Sequence, residues 1–190
     1  LMRSSAASDV YKRQSRYEAL CGLCGGEFNE SLGVSKPYDF RSWVPDAIVV
    51  NLGTNDASAF EQPPFTIPET GEVCKQRKNP DGTYNREDLL KFEQAVIDFL
   101  KMLRKHNESS HIVWAYGMLG YDLTLAITEA MNTYRNETGD SNVAFLQLPD
   151  STPDNLGAHA HPGPASHERA AAILTCLLYT SPSPRDRQKS

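Results

Sequence analysis

The sequence predicts an α/β fold in which helices cover both faces of a parallel sheet, a three-layer α/β/α arrangement. Short runs of β-branched and other apolar residues alternate with longer stretches of helical periodicity. The order is strand, helix, strand, helix, strand, helix, which is typical of parallel strands joined by right-handed crossovers. The length of 190 residues suits one domain, and 39% hydrophobic with 23% charged residues indicates a globular protein.

The strands are predicted from compact apolar runs that end at Gly or Pro. They are expected at residues 47–52, 111–116 and 143–148. The first run, rich in β-branched residues, is typical of a strand buried on both faces in a parallel sheet. Glycine follows the first two runs and proline follows the third.

The helices are predicted from apolar spacing and end signals. Asn85 caps a strong helix with apolar residues every three to four positions. A second helix includes Leu123 and closes at Gly139, and Pro164 opens the last one. Residues 57–84 are proline-rich and are expected to form a long loop, which in a compact domain is usually functional or disordered.

The two ends do not share the pattern of the middle. Residues 1–14 and 176–190 show no helix or strand period, and both are rich in Ser, Arg and Gln. They resemble translated sequencing-adapter read-through, and disordered tails are the alternative interpretation. We therefore expect the genuine domain at residues 15–175, with its native N-terminus missing.

Charge and hydropathy exclude several function classes. Lys and Arg number 19 against 24 Asp and Glu, and the net charge of −5 offers no basic field for nucleic acid or an anionic membrane. The longest apolar runs are too short to span a bilayer. Four cysteines in this length do not make a disulfide scaffold. The compartment stays open, since secreted and cytoplasmic locations are both compatible with the sequence.

Two polar segments follow predicted strands, at the edge where α/β sheets bind ligands. Gly53-Thr54-Asn55-Asp56 follows the first strand. Its Asn55 amide is a neutral donor suited to an oxyanion, although an ordinary Asx turn explains the segment equally well. His161-Pro162-Gly163 precedes the last helix, and Pro162 restrains His161 to an extended backbone. Such a histidine can act as a general base, with a plain surface histidine as the alternative.

Together these segments resemble two conserved blocks of the SGNH/GDSL hydrolases. The string PDAIVVNLGTND, ending at Asp56, is similar to the third block, and HPGPASH, starting at His161, is similar to the fifth. The nearest resemblance is to the acetyl-esterase branch, carbohydrate esterase family 2, over about residues 17–175. It implies a flavodoxin-like sheet and acyl transfer through a serine ester, without a cofactor, on a small or carbohydrate ester.

The resemblance also implies roles for individual residues. Asn55 would be the oxyanion-hole amide and His161 the catalytic base, while Gly53 and Asp56 would shape the turn. Residues 15–175 would then be the C-terminal part of an SGNH hydrolase domain, with its first strands missing.

The chain departs from this family in two respects. The nucleophilic serine of the family stands in a Gly-Asp-Ser block on the first strand, whereas the Gly-Asp-Ser here, at 139–141, follows a helix and precedes the third strand. We interpret 139–141 as a helix stop and turn, and we expect the nucleophile to be absent and this fragment to be inactive. The family often has Asp two residues before the base, where this chain has His159, so a backbone carbonyl is expected to orient His161.

Other interpretations stay open at this point. His159, His161 and His167, with Asp154, could form a metal site. A non-catalytic carbohydrate-binding or interaction module of the same fold is the second alternative. Cys21 and Cys24 have redox spacing, although two reduced, packed thiols explain them better. Three aromatic residues around the long loop could stack on a sugar or simply pin the loop: Phe60, Phe65 and Tyr84.

Overall fold

The computed structural model describes residues 16–20, 26–66, 71 and 73–180. Residues 1–14 and 181–190, Cys21 and Cys24 lie outside the described residues, and the predictions made for them stay predictions. The described helices are α1 (Glu27–Ser31), α2 (Thr54–Ala59), α3 (Arg86–His106), α4 (Thr124–Thr138) and α5 (Pro164–Thr180). The strands are β1 (Ala47–Val50), β2 (Phe65–Thr66), β3 (Val73–Cys74), β4 (His111–Gly117) and β5 (Val143–Leu148).

The central sheet is parallel and has the order β1-β4-β5. Its register pairs Ile48 with Ile112 and Val50 with Trp114, so these four side chains share one face. The predicted α/β class and parallel sheet are confirmed. The strands form here because compact apolar runs bury well between layers of helices.

The main core lies between this face of the sheet and helices α3 and α4. The Asn85 side chain accepts hydrogen bonds from the backbone N–H groups of Glu87 and Asp88, which caps α3 as the sequence predicted. Apolar side chains of both helices pack against Trp114, which is fully buried. Helix α4 ends at Gly139, which adopts the left-handed conformation with φ 70°.

The opposite face of the sheet is covered less completely. Ala170 of α5 packs with Ala115 of β4 and Leu148 of β5. Strand β1 is at the edge, and its Val49 remains 42% exposed. The prediction of a strand buried on both faces is therefore wrong for β1, because no described element covers its outer edge or this part of its second face.

The segment after β1 is more ordered than the sequence predicted. Helix α2 begins at Thr54, and the short strands β2 and β3 pair antiparallel within the expected long loop. Strands of two residues and a helix of six residues are too short to show a period in the sequence. The many prolines of this segment therefore led to the prediction of a loop. Within the described ranges, no helix is both long and apolar enough to cross a membrane.

The last helix continues beyond its predicted end. Helix α5 runs through Cys176 to Thr180, whereas no helical period was expected beyond residue 175. The apolar residues of this helix do not follow a helical period, and few of them are buried. Ile173 is 41% exposed and Tyr179 is 88% exposed.

Candidate active site

A cavity of about 310 Å³ opens at the carboxyl ends of the parallel strands. Three chain segments line it, one after each strand of the sheet. The lining residues are Asn51, Leu52, Gly53, Thr54, Asn55, Gly117, Met118, Leu119, His161, Pro162 and His167. Three of the four predicted site residues, Gly53, Asn55 and His161, thus line one cavity although 106 positions separate Asn55 from His161 in the sequence.

Gly53 allows the chain to turn sharply from β1 into α2. Its φ of 125° is a conformation that residues with a side chain rarely adopt. A Cβ at this position would also lie 3.0 Å from Cε2 of the Tyr116 ring. Glycine therefore lets the backbone approach Tyr116, and this turn brings Asn55 to the cavity wall in the first turn of α2.

Asp56 occupies a different position from its neighbour. Its side chain is completely buried in the first turn of α2 and does not line the cavity. A carboxylate in the first turn of a helix is favoured by the positive end of the helix dipole. Its place fits the predicted role of supporting the turn, which stays a prediction.

His161 lies on a loop that is closed at its base. Gly163 N–H donates to the Asn155 carbonyl at 2.9 Å, and the Ser166 hydroxyl, which is buried, lies 3.1 Å from both Asn155 oxygens. An antiparallel bridge between Leu156 and Pro162 adds a second closure. These contacts limit the motion of the loop although His161 itself is exposed.

A backbone carbonyl faces the imidazole of His161. Nδ1 of His161 lies 3.1 Å from the carbonyl oxygen of His159. His159 and Ala160 both adopt left-handed conformations, with φ 55° and 59°, which are costly for residues with a side chain. The sequence-based expectation of a carbonyl beside His161 therefore has a matching contact, and the strained turn supplies it.

The rim after β4 was only partly predicted. A glycine, Gly117, was predicted to end the strand at 111–116, whereas Met118 and Leu119 were not singled out. Met118 is non-glycine with φ 71°, and its carbonyl accepts a hydrogen bond from Ser151 N–H at 3.0 Å. The Asn51 amide also lines the cavity and donates to the Ala115 carbonyl at 2.8 Å, joining the rims of β1 and β4. No sequence signal marks Met118 and Leu119, since their position depends on the pairing of distant strands.

The described residues that line the cavity include no serine or cysteine. The Gly-Asp-Ser string at 139–141 lies at the opposite end of the sheet, before β5, and Gly139 caps α4. The interpretation of this string as a helix stop and turn is confirmed. Among the described residues, no three His, Cys, Asp or Glu side chains are gathered to hold a metal ion. The alternative metal site around His159 and His161 thus has no support from the described geometry.

Asp140 of that string belongs to a structural network. Its Oδ2 accepts hydrogen bonds from Arg104 Nε at 2.8 Å and from the Tyr134 hydroxyl at 2.7 Å. Burial raises the pKa of Asp140, but these hydrogen bonds outweigh burial and hold the pKa below its ordinary value. Arg104 also donates to the carbonyls of Asn107 and Ser110, so the network ties the end of α3 to the start of β4.

The aromatic residues of the long loop are used in packing. Phe60 is buried and stacks on Tyr84, with ring centroids 4.2 Å apart. Burial raises the pKa of Tyr84 to about 12, with the negative charge of Asp122 adding to the effect. For Phe60 and Tyr84, loop pinning is therefore the interpretation that the contacts favour over sugar stacking. Nothing is described for the Phe65 side chain.

Comparison with known proteins gives esterases among the relatives. No protein-family model matches the chain. The cellulase/esterase CelE of Acetivibrio thermocellus is 28% identical over 147 residues, which make up 74% of this chain and 15% of that protein. An acetyl xylan esterase (Est2A) from the rumen bacterium Butyrivibrio proteoclasticus is 56% identical and superposes with a TM-score of 0.84, covering 87% of this chain and 44% of its own.

A third relative shares the fold at lower identity. A family two carbohydrate esterase from Clostridium thermocellum, solved in complex with cellohexaose, is 24% identical with a TM-score of 0.56 and covers 83% of this chain and 44% of its own. The chain thus spans less than half the length of each of these three proteins. The solved structures that this chain resembles are carbohydrate esterases, family 2 among them, so the resemblance predicted from its two motifs is confirmed.

Proposed function

We propose that this chain supplies the base and the oxyanion donor of a serine esterase that acts on carbohydrate esters. The observation that carries the proposal is the shared cavity of Asn55 and His161 at the carboxyl edge of the sheet. An amide and an imidazole at one cavity are the groups that acyl transfer needs besides a nucleophile. Homologous proteins are esterases by name, which supports ester hydrolysis as the reaction class.

In this proposal, His161 acts as general base and then as general acid. Its Nδ1 donates to the His159 carbonyl, which leaves Nε2 to take the proton from a serine hydroxyl. The serine oxygen attacks the ester carbonyl, and the Asn55 amide donates to the oxyanion that forms. His161 returns the proton to the departing alcohol. In the second half of the reaction, His161 takes a proton from a water molecule whose oxygen attacks the acyl-serine carbonyl. The carboxylic acid is released as His161 gives that proton back to the serine oxygen.

We propose that the serine comes from outside the described residues, next to the edge of β1. The described cavity wall holds no serine, and the outer edge of β1 has no partner strand among the described elements. A strand added there would end beside Asn55, because parallel strands end at the same edge of a sheet. We propose that residues 16–180 alone lack esterase activity, because no described serine lines the cavity.

The substrate class is proposed from the relatives. One is an acetyl xylan esterase and another was solved with cellohexaose, so an acetylated carbohydrate is the substrate we propose. The open position of His161 at the rim fits a bulky alcohol that remains partly in solvent. Serine chemistry needs no cofactor, and no nucleic acid or membrane enters the proposal.

The test is acetate release by the full-length gene product with Asn55 or His161 replaced by alanine. Asn55→Ala is expected to lower kcat by about 100- to 1000-fold, the usual effect of losing one oxyanion donor, and His161→Ala at least as much. Ser58→Ala is the matched control, since Ser58 is on the same short helix but outside the cavity. Wild-type turnover in both site variants would refute the proposal.

The same assay distinguishes the two alternatives. A non-catalytic carbohydrate-binding module would bind oligosaccharide while releasing no acetate in any variant. A metal site would show equal losses in His159→Ala and His161→Ala, with zinc restoring the parent after chelation. Serine chemistry predicts a small loss in His159→Ala, because the backbone carbonyl of His159, which the substitution keeps, makes the contact.

A further inference from the structure

His167 is a second imidazole at the same cavity. It stands at the end of the first turn of α5, six residues after His161, and it lines the cavity. Its backbone N–H donates to the Gly163 carbonyl at 3.2 Å, so the helix fixes its position relative to the His161 loop. No hydrogen bond from its ring to another described residue is present, and the side chain is exposed to the cavity.

The other imidazole and amide side chains of the described cavity wall already have tasks. Asn51 donates to the Ala115 carbonyl, and the His161 ring faces the His159 carbonyl. Asn55 is assigned to the oxyanion in the proposed function. Of the imidazole and amide groups on the described wall, His167 is therefore the one whose polar atoms are open to the alcohol part of a substrate.

We propose that His167 is a specificity residue that hydrogen-bonds a hydroxyl of the carbohydrate part of the ester. This inference rests on the proposed function and names the residue that would select its alcohol. A neutral imidazole offers one donor and one acceptor, and a sugar hydroxyl is likewise both donor and acceptor. An aryl leaving group offers no such hydroxyl, so an aryl ester would not use His167.

The test compares two acetyl esters with the full-length gene product: acetylated xylo-oligosaccharides and 4-nitrophenyl acetate. We compare kcat/KM for the oligosaccharide divided by kcat/KM for 4-nitrophenyl acetate. His167→Ala is expected to lower this ratio by about tenfold, the scale of one lost hydrogen bond, because KM for the oligosaccharide rises. His167→Gln, whose amide keeps a donor and an acceptor, is expected to restore part of the ratio. Glu168→Ala, the exposed neighbour outside the cavity, is the matched control.

A ratio in His167→Ala within twofold of the wild type would overturn the inference, as would an equal loss on both esters. If the alanine variant lost its cooperative melt, His167→Phe would replace it, since it keeps a ring without donor or acceptor. Failure of the proposed function looks different, because Asn55→Ala and His161→Ala would then hydrolyse both esters at the wild-type rate.

Discussion

The His161 loop gives a sharp prediction at Gly163, because the backbone is packed too tightly there for any side chain. A Cβ at Gly163 would lie 2.7 Å from the Asn155 carbonyl oxygen and 3.3 Å from Gly157 N. Both are backbone atoms, so neither can move aside without opening the base of the loop. The hydrogen bond from Gly163 N–H to the Asn155 carbonyl would be disturbed by the same shift.

Gly163→Ala is expected to cost about 1 to 3 kcal/mol in the free energy of unfolding, the usual cost of overpacking. The effect on turnover should be larger than this stability loss suggests. A displacement of His161 by about 1 Å is enough to lower kcat by about 100-fold, since proton transfer depends on close alignment. Both quantities can be measured on the full-length gene product, by thermal unfolding and by acetate release.

Gly157→Ala is the matched control in the same loop. A Cβ at Gly157 meets its nearest atom at 3.5 Å, which is ordinary van der Waals contact, and its φ of −100° suits any residue. It is expected to keep kcat within about threefold of the wild type. Equal kcat values in the two alanine variants would refute the reasoning that closure of this loop positions His161.

Two further predictions concern polar contacts. Ser166→Ala removes a buried hydroxyl that contacts both oxygens of Asn155; we expect kcat to fall by about tenfold with KM little changed, since this contact positions His161 and does not touch substrate. A rise in KM with unchanged kcat would contradict that role. Asp140 has a lowered pKa, so its contribution to stability is fully present above its unfolded-state pKa, near 3.8, and is lost as the pH falls through the lower folded-state value. Asp140→Asn should therefore destabilise the protein by about 1 to 3 kcal/mol at pH 7 and by less below pH 3.8 in urea titrations; a pH-independent difference would contradict the network.

The elements with strong local signals were predicted from the sequence. Helix α3 carries its own cap at Asn85, and α4 ends at a glycine that can adopt positive φ. Strands β4 and β5 are compact apolar runs, of which β4 is almost wholly buried and β5 partly buried. These features depend on residues close together in the chain, and periodicity therefore located them within a few residues.

What the sequence missed depends on contacts between distant segments. The exposure of Val49 follows from the edge position of β1, which no local pattern encodes. Helix α2 is too short to show a period, and the apolar residues of α5 lie partly in solvent. Strand order decides such features, and strand order is not a local property.

The candidate site likewise contains residues that were predicted from the sequence and residues that were not. Asn55 and His161 were predicted because each stands in a recognisable motif after a strand. The hydrogen bonds of Asn155 with Gly163 and Ser166, which close the loop at its base, were not predicted. The place of His167 at the cavity was not predicted either. Both arise when the chain between β5 and α5 folds back on itself, and the residues involved are ordinary loop residues in the sequence.

The most direct measurement asks which serine the base activates. A fluorophosphonate reacts with a serine only when a neighbouring base and an oxyanion donor activate it. We predict that labelling of the full-length gene product, read by peptide mass spectrometry, finds one modified serine outside residues 16–180, and that His161→Ala abolishes the label. A label on Ser141 or Ser166, or undiminished labelling in His161→Ala, would contradict the account.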